Sequence, residues 1–190
     1  MGVAGHAEVE QRYRLLFERH WRDVRAYTIR RCGDVSAADD TVAETFLVAW
    51  RRIGDVPTDN ELAWLLGTAR RVLSNARRGD VRRDRLLARL RDTTIVDVVD
   101  VADLAVEASD TARQVRDALS RLRPDDAEII QLSAWEQLSH AQIAVVLDIT
   151  ANAVAIRLHR ARQRLTDQLV KGSADDGDTQ PMRKTWEPEP

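Results

Sequence analysis

The sequence predicts an all-α protein. It divides into two small helical domains joined by an acidic, flexible linker, the C-terminal domain being a helix-turn-helix. Three observations lead there. Apolar residues recur at helical spacing, strand-like alternation is scarce, and only 8 Gly and 5 Pro interrupt 190 residues. Charge is segregated although the net charge is only −2: Arg70 to Arg91 hold nine arginines against two acids, and residues 92–110 hold six acids and no base. Finally, Leu138 to Leu165 reads as two short helices about a tight turn, the second bearing a ladder of arginines.

Taken in order, a first long helix is expected from Glu10 to Arg31, with Leu15, Leu16, Trp21, Val24 and Ile29 as its buried stripe and Gly33 as its stop. Ser36 is the expected cap of a second helix reaching about Ile53, with Val42, Phe46, Ala49 and Trp50 turned inward. The turn residues of GDVPTDN make a loop of 54–60. A third helix starts near Glu61 and runs to about Arg78 or beyond, burying Trp64, Leu65, Ala69, Val72, Leu73 and Ala76. Helices resume near Ala112 and stop before Pro124, which opens the next helix with Asp125 and Asp126 in its first turn; that helix ends near Trp135. Ser139 caps a helix through Leu147, Asp148 takes the turn, and Thr150 caps a last helix that buries Ala151, Val154, Leu158, Ala161 and Leu165. The Gly-, Pro- and acid-rich tail from Lys171 is expected to be disordered. The domains are accordingly placed at 8–91 and 112–170, with a linker at 92–111 and the tail at 171–190.

Three helix faces carry the candidate chemistry. On the last helix Asn152, Ala155, Ile156, His159 and Arg160 point outward with Arg157 and Arg164 at the edge, placing residues near the helix start against base edges and arginines further along against phosphates. On the third helix Arg70, Arg71, Arg77 and Arg78 form a basic stripe with Asn75 at its margin, as contact with a phosphate backbone requires. On the second helix Asp40, Glu44, Leu47 and Arg51 share the outer arc, and an acidic face with an exposed leucine suits a basic protein partner. Each has a plainer reading as a solvated helix face, and helix-turn-helix shapes also occur in proteins that bind no DNA.

Other classes find little support. No apolar run reaches the roughly 20 residues that span a bilayer, and the N-terminal MGVAGHAEVEQ lacks a basic start and an apolar core. The lone Cys32 excludes an internal disulfide, and the four histidines are scattered. The expectation is a soluble intracellular protein that is not an enzyme, with no cofactor, no metal and no small-molecule substrate.

In this order and spacing the motifs resemble the sigma factors of bacterial RNA polymerase, above all the small extracytoplasmic-function (ECF) class. VSAADDTVAETFLVAWRR and AWLLGTARRVLSNARR resemble the family's second conserved region. RLRPDDAEII and QLSHAQIAVVLDITANAVAIRLHRAR resemble its fourth, so the likeness covers about residues 10 to 170. The resemblance implies an alternative sigma factor that binds polymerase core and directs promoter recognition, DNA melting and initiation. It implies that Asp40, Glu44 and Leu47 meet the β′ clamp helices. The loop from Asp55 to Asn60, with Arg70, Arg71, Asn75, Arg77 and Arg78, would hold the melted −10 strand and one flipped base. Asn152, Ala155, Ile156, Arg157, His159 and Arg160 would enter the −35 major groove. It further implies contact with the β flap, a connector threading the polymerase cleft, an anti-sigma partner, and a cytoplasmic, nucleoid-associated location or retention at the membrane by that partner.

Five positions depart from the family pattern. Ala43 stands for glutamine, Arg71 for asparagine, Ala155 and Ile156 for lysine and serine, and Asp148 for the turn glycine. Promoter sequence therefore does not carry over from better-known members, and the apolar pair in the groove suits thymine methyls or weakens the contact. Two other readings fit the residues: an autonomous helix-turn-helix regulator, or a helical module that titrates polymerase or anti-sigma factors without starting transcription.

Overall fold

The computed structural model describes residues 3–90 and 110–175, and side chains over 6–79 and 111–171. Among the described residues the chain forms seven α-helices: α1 (Val3–Cys32), α2 (Val35–Arg51), α3 (Glu61–Leu90), α4 (Asp110–Ser120), α5 (Pro124–Ala134), α6 (His140–Leu147) and α7 (Ala151–Asp175). A single 3-10 turn, Ile53–Asp55, follows α2. The linker expectation falls almost wholly on residues 91–109, outside the described ones. The tail is helical through Asp175, and its remaining residues lie outside the description.

Gly33 ends α1 with φ of 68°, a left-handed value that glycine adopts without strain. The cap of α2 is Asp34 rather than Ser36: its Oδ2 accepts the Ala37 amide at 2.8 Å, so the helix begins earlier than the sequence suggests. Thr41 and Thr45 are buried in α2 and keep their hydroxyls satisfied by donating to the Ala37 and Thr41 carbonyls. Leu16, Val24 and Tyr27 of α1 meet Val42, Phe46 and Ala49 of α2, and Leu65, Leu66, Ala69 and Leu73 of α3 complete the first core. Leu15, expected inside, is 48 % exposed, and Trp21 and Ile29 are half-buried. The stripe instead includes Tyr27 and Thr28, one helical turn further on.

Among α3 residues expected inside, Leu65, Ala69 and Leu73 are buried, Trp64 and Val72 are half-buried and Ala76 is exposed. Leu66, Gly67 and Thr68 are buried as well, and α6 of the second module packs against α3 at Gly67.

The second module folds as expected around its turn. Ser139 forms a capping box: its side chain accepts from the Gln142 amide, and Gln142 Oε1 accepts the Ser139 amide at 2.9 Å. Asp148 sits at φ 55°, and Thr150 Oγ1 accepts the Ala153 amide at 3.2 Å. Val154, Leu158 and Ala161 line the inner face of α7 with Leu165 half-buried; Ala151, at the helix start, is exposed instead. Their partners are Leu119, Ile129, Leu132 and Ile143, and this core is continuous with the first. Replacing Ser139 with alanine is expected to cost about 1 kcal/mol, read as a lower urea midpoint.

Cys32 is half-buried, and burial pushes its thiol above the ordinary range, although a Thr41 hydrogen bond and Arg77 act in the opposite direction. A raised thiol pKa means less thiolate. At about pH 8, native protein should therefore react with Ellman's reagent several-fold more slowly than urea-unfolded protein; equal rates would contradict the burial.

Candidate polymerase and nucleic-acid interfaces

The α2 face is built by helical spacing. Asp40, Glu44 and Leu47 lie three and four residues apart, so their side chains stack along one exposed strip. Leu47 is 39 % exposed although Val42, Thr45, Phe46 and Ala49 of the same helix are buried. Trp50, which the periodicity turns inward, is 38 % exposed. It packs edge-on against Tyr13 with ring centroids 5.0 Å apart, and Phe17 likewise meets Phe46 at 4.8 Å. The groove between α1 and α2 thus ends in a half-open aromatic cluster beside the acidic strip. One sequence gave no sign of it, since Tyr13 and Phe17 come from a different helix.

The loop after α2 is fixed from both sides. Arg12 donates to the Val56 carbonyl, and Arg52 Nε donates to Asp55 at 2.9 Å. At the far end the Asn60 carbonyl accepts the Trp64 amide at 3.0 Å, starting α3, while the Asn60 side chain donates to Asp59. Glu61 ties this start to α1: its Oε2 accepts from Arg19 at 2.9 Å and lies 3.2 Å from His20 Nε2.

The basic stripe of α3 divides into two. Arg70, Arg77 and Arg78 line a cleft of about 830 Å³ between α1, α3 and α5. Arg71 and Asn75 are exposed and not among its lining residues. Arg77 donates to the Arg31 carbonyl at 2.8 Å, and Arg78 donates to Asn75 Oδ1 at 2.7 Å. Arg71 donates to Thr68 Oγ1 at 3.4 Å.

On α7, Asn152, Ile156, Arg157, His159 and Arg160 are exposed and Ala155 is half-buried. Ile156 is 45 % exposed, an apolar residue held out on the reading face. Arg164 pairs with Asp126 of α5, so this arginine, at the edge of the outward face, braces the module itself. Arg157 shares a second cleft, about 560 Å³, with Arg70, Arg123, Asp125 and Asp126.

Residues 16–83 match the Sigma-70 region 2 profile, and residues 112–165 match Sigma-70, region 4. The ECF RNA polymerase sigma factor SigL of Mycobacterium tuberculosis is 33 % identical over 167 residues, covering 86 % of this chain and 92 % of that one. The chain belongs to the ECF sigma factors. Its function is that of an alternative sigma factor, directing promoter recognition by RNA polymerase. The sigma factor CarQ of Myxococcus xanthus is 30 % identical over 157 residues, covering 81 % of this chain and 87 % of CarQ. The fold is shared with the sigma factor RpoE of Bartonella quintana, solved in complex with the anti-sigma factor NepR: TM-score 0.60 at 22 % identity, covering 83 % of this sigma factor and 96 % of that one. CnrH, solved with the cytosolic domain of CnrY, aligns with TM-score 0.54 at 26 % identity over 88 % of this chain and 89 % of CnrH.

Proposed function

We propose that the three faces divide the work of initiation. Asp40, Glu44 and Leu47 grip the β′ clamp helices of polymerase core, the acids pairing with basic residues and the leucine filling an apolar contact. The loop from Asp55 to Asn60, with Arg70, Arg71, Asn75, Arg77 and Arg78, holds the melted −10 strand. Extracting a base from the stack costs a few kcal/mol, and phosphate contacts from this stripe would offset it. Asn152, Ala155, Ile156, Arg157, His159 and Arg160 read the −35 element in the major groove.

The observation that carries this reading is the exposure of Asp40, Glu44 and Leu47 as one strip on a helix whose opposite face is packed. A monomer gains nothing from an acidic strip that ends in an exposed leucine; docking on a basic, partly apolar partner would cover it. The module boundaries of 8–91 and 112–170 follow from the same division, with residues 92–111 as linker between them, the β flap taken as a second contact for the later module. The protein works in the cytoplasm at the nucleoid and carries no reaction of its own, polymerase supplying the chemistry. An anti-sigma partner is proposed from RpoE of Bartonella quintana, which was solved with one.

The test is a titration of labelled protein with purified core polymerase, followed by anisotropy. Saturable binding that the α2 variants weaken supports the assignment. No binding to active core would overturn it and favour an autonomous regulator.

A further inference from the structure

The three assigned faces leave α1 without a task, yet one side of this helix holds the loop that precedes α3. Arg12, Leu16, Arg19 and His20 recur at helical spacing and share that side. Leu16 is buried in the core, and polar side chains flank it. One turn earlier Arg12, half-buried, donates to the carbonyl of the buried Val56. One turn later Arg19 Nη1 donates to Glu61 Oε2 at 2.9 Å, and His20 Nε2 lies 3.2 Å from the same oxygen. An ionised carboxylate only accepts, so the proton that serves this contact sits on Nε2. The His20 and Glu61 side chains are 12 % and 14 % exposed, which sets this contact apart from an ordinary surface pair. All three contacts are long-range, joining residues 41 to 44 positions apart. The loop's own pair, Arg52 with Asp55, spans three residues and is more than half exposed at both ends, so it contributes little hold. The rest of the loop is open. Asp55, Thr58 and Asp59 are exposed, and a Cβ added at Gly54 would meet nothing within 4 Å.

We propose that Arg12, Arg19 and His20 are positioning residues for −10 recognition, pinning Val56 and Glu61 from α1 so that the loop of residues 55–60 keeps the shape that receives the flipped base. The inference rests on the assignment of that loop to the −10 strand and deepens it. Irregular surface segments move unless they are tied down. A loop that orders only when the base arrives gives up part of the binding free energy to its own ordering, and a loop already held does not. Discrimination follows from the same rigidity, since a pocket that yields to a wrong base does not reject it. The pairing at Glu61 has a second effect. A bare carboxylate at the start of α3 would repel a passing strand of phosphates, and the Arg19 guanidinium compensates that charge.

Transcription by reconstituted holoenzyme tests this. The template is a promoter taken from the start sites that fragmented source-organism DNA yields, used intact and with its −10 bases transverted. The ratio of the two transcript levels measures −10 discrimination, and for wild type it should be about tenfold or more. Arg12→Ala with His20→Ala should lower that ratio about fivefold or more, while core affinity by anisotropy and helical circular dichroism stay at wild-type values. Arg12→Lys with His20→Gln keep a donor at each place and should restore most of the ratio, a rescue that a loss of packing alone would not show. Should the double alanine variant unfold, Arg19→Ala, at an exposed side chain, carries the same comparison with an expected loss of about twofold or more.

A wild-type ratio in the folded variants would overturn the positioning role. Core affinity falling in step with the ratio would overturn it too, because that pattern marks a general structural defect. Asp55→Ala with Asn60→Ala separates this inference from the reading beneath it. If that pair lowers the ratio and the α1 variants do not, the loop assignment stands and the positioning role falls. If neither lowers it, the loop assignment falls and the positioning role with it.

Discussion

Reversing Asp40 and Glu44 to lysine is expected to abolish measurable core binding, weakening it at least ~100-fold, or about 2.7 kcal/mol. Both carboxylates are exposed on α2, so the reversal should change folding stability by less than about 0.5 kcal/mol. At an interface the same change places like charge against like charge, which costs several kcal/mol. Leu47→Ala removes an exposed apolar contact and should give a smaller loss, of order tenfold. The departure at Ala43 sharpens the expectation: with glutamine absent there, the two acids carry more of the polar contact. Anisotropy titrations against core decide it, and wild-type affinity in the double reversal would contradict the assignment of this face.

The second large effect concerns α7. Arg157→Ala with Arg160→Ala should remove dependence on the −35 element while leaving core affinity unaltered. A base-edge contact is worth about 1 to 3 kcal/mol, and each lost phosphate contact lowers the salt slope of binding by about one. The pair should therefore cost at least tenfold in promoter binding by holoenzyme. Both side chains are exposed and the inner face of α7 is carried by Val154, Leu158 and Ala161, so the module should remain folded. Ile156→Ser restores the polarity usual in the family and should shift sequence preference rather than overall affinity. Unaltered promoter use in the double arginine variant would remove α7 from the reading role.

Where the sequence was legible, the determinant was local. Gly33, Pro124, Ser139, Asp148 and Thr150 each act on backbone groups within four residues, and each ends or starts a helix where its chemistry implies. The outward faces of α2 and α7 were legible for a related reason, since a helix fixes which residues share an arc. What the sequence concealed is long-range. Gly67 of α3 is buried because α6 lies backbone to backbone against it. Arg31 reads as one more basic residue at a helix C-terminus, yet it is buried because Glu128 and Glu136 reach it from another module. Burial opposes its charge, but Glu128, Tyr27 and Glu136 raise its pKa above the ordinary value. Burial likewise pushes the Tyr27 hydroxyl far above its usual range, keeping it a neutral donor to Glu128. Trp50 misled because periodicity assigns it to the inner arc, whereas it meets Tyr13 of α1 edge-on and stays 38 % exposed.

Through these faces the chain is expected to give polymerase new promoters. The most direct measurement is transcription from fragmented source-organism DNA by purified core polymerase, with and without the protein, mapping RNA 5′ ends. New start sites sharing two upstream elements about 25 base pairs apart, ~85 Å along the duplex, are expected, as is their loss when Arg157 and Arg160 are replaced. Active core that binds the protein yet yields no new starts would contradict that expectation.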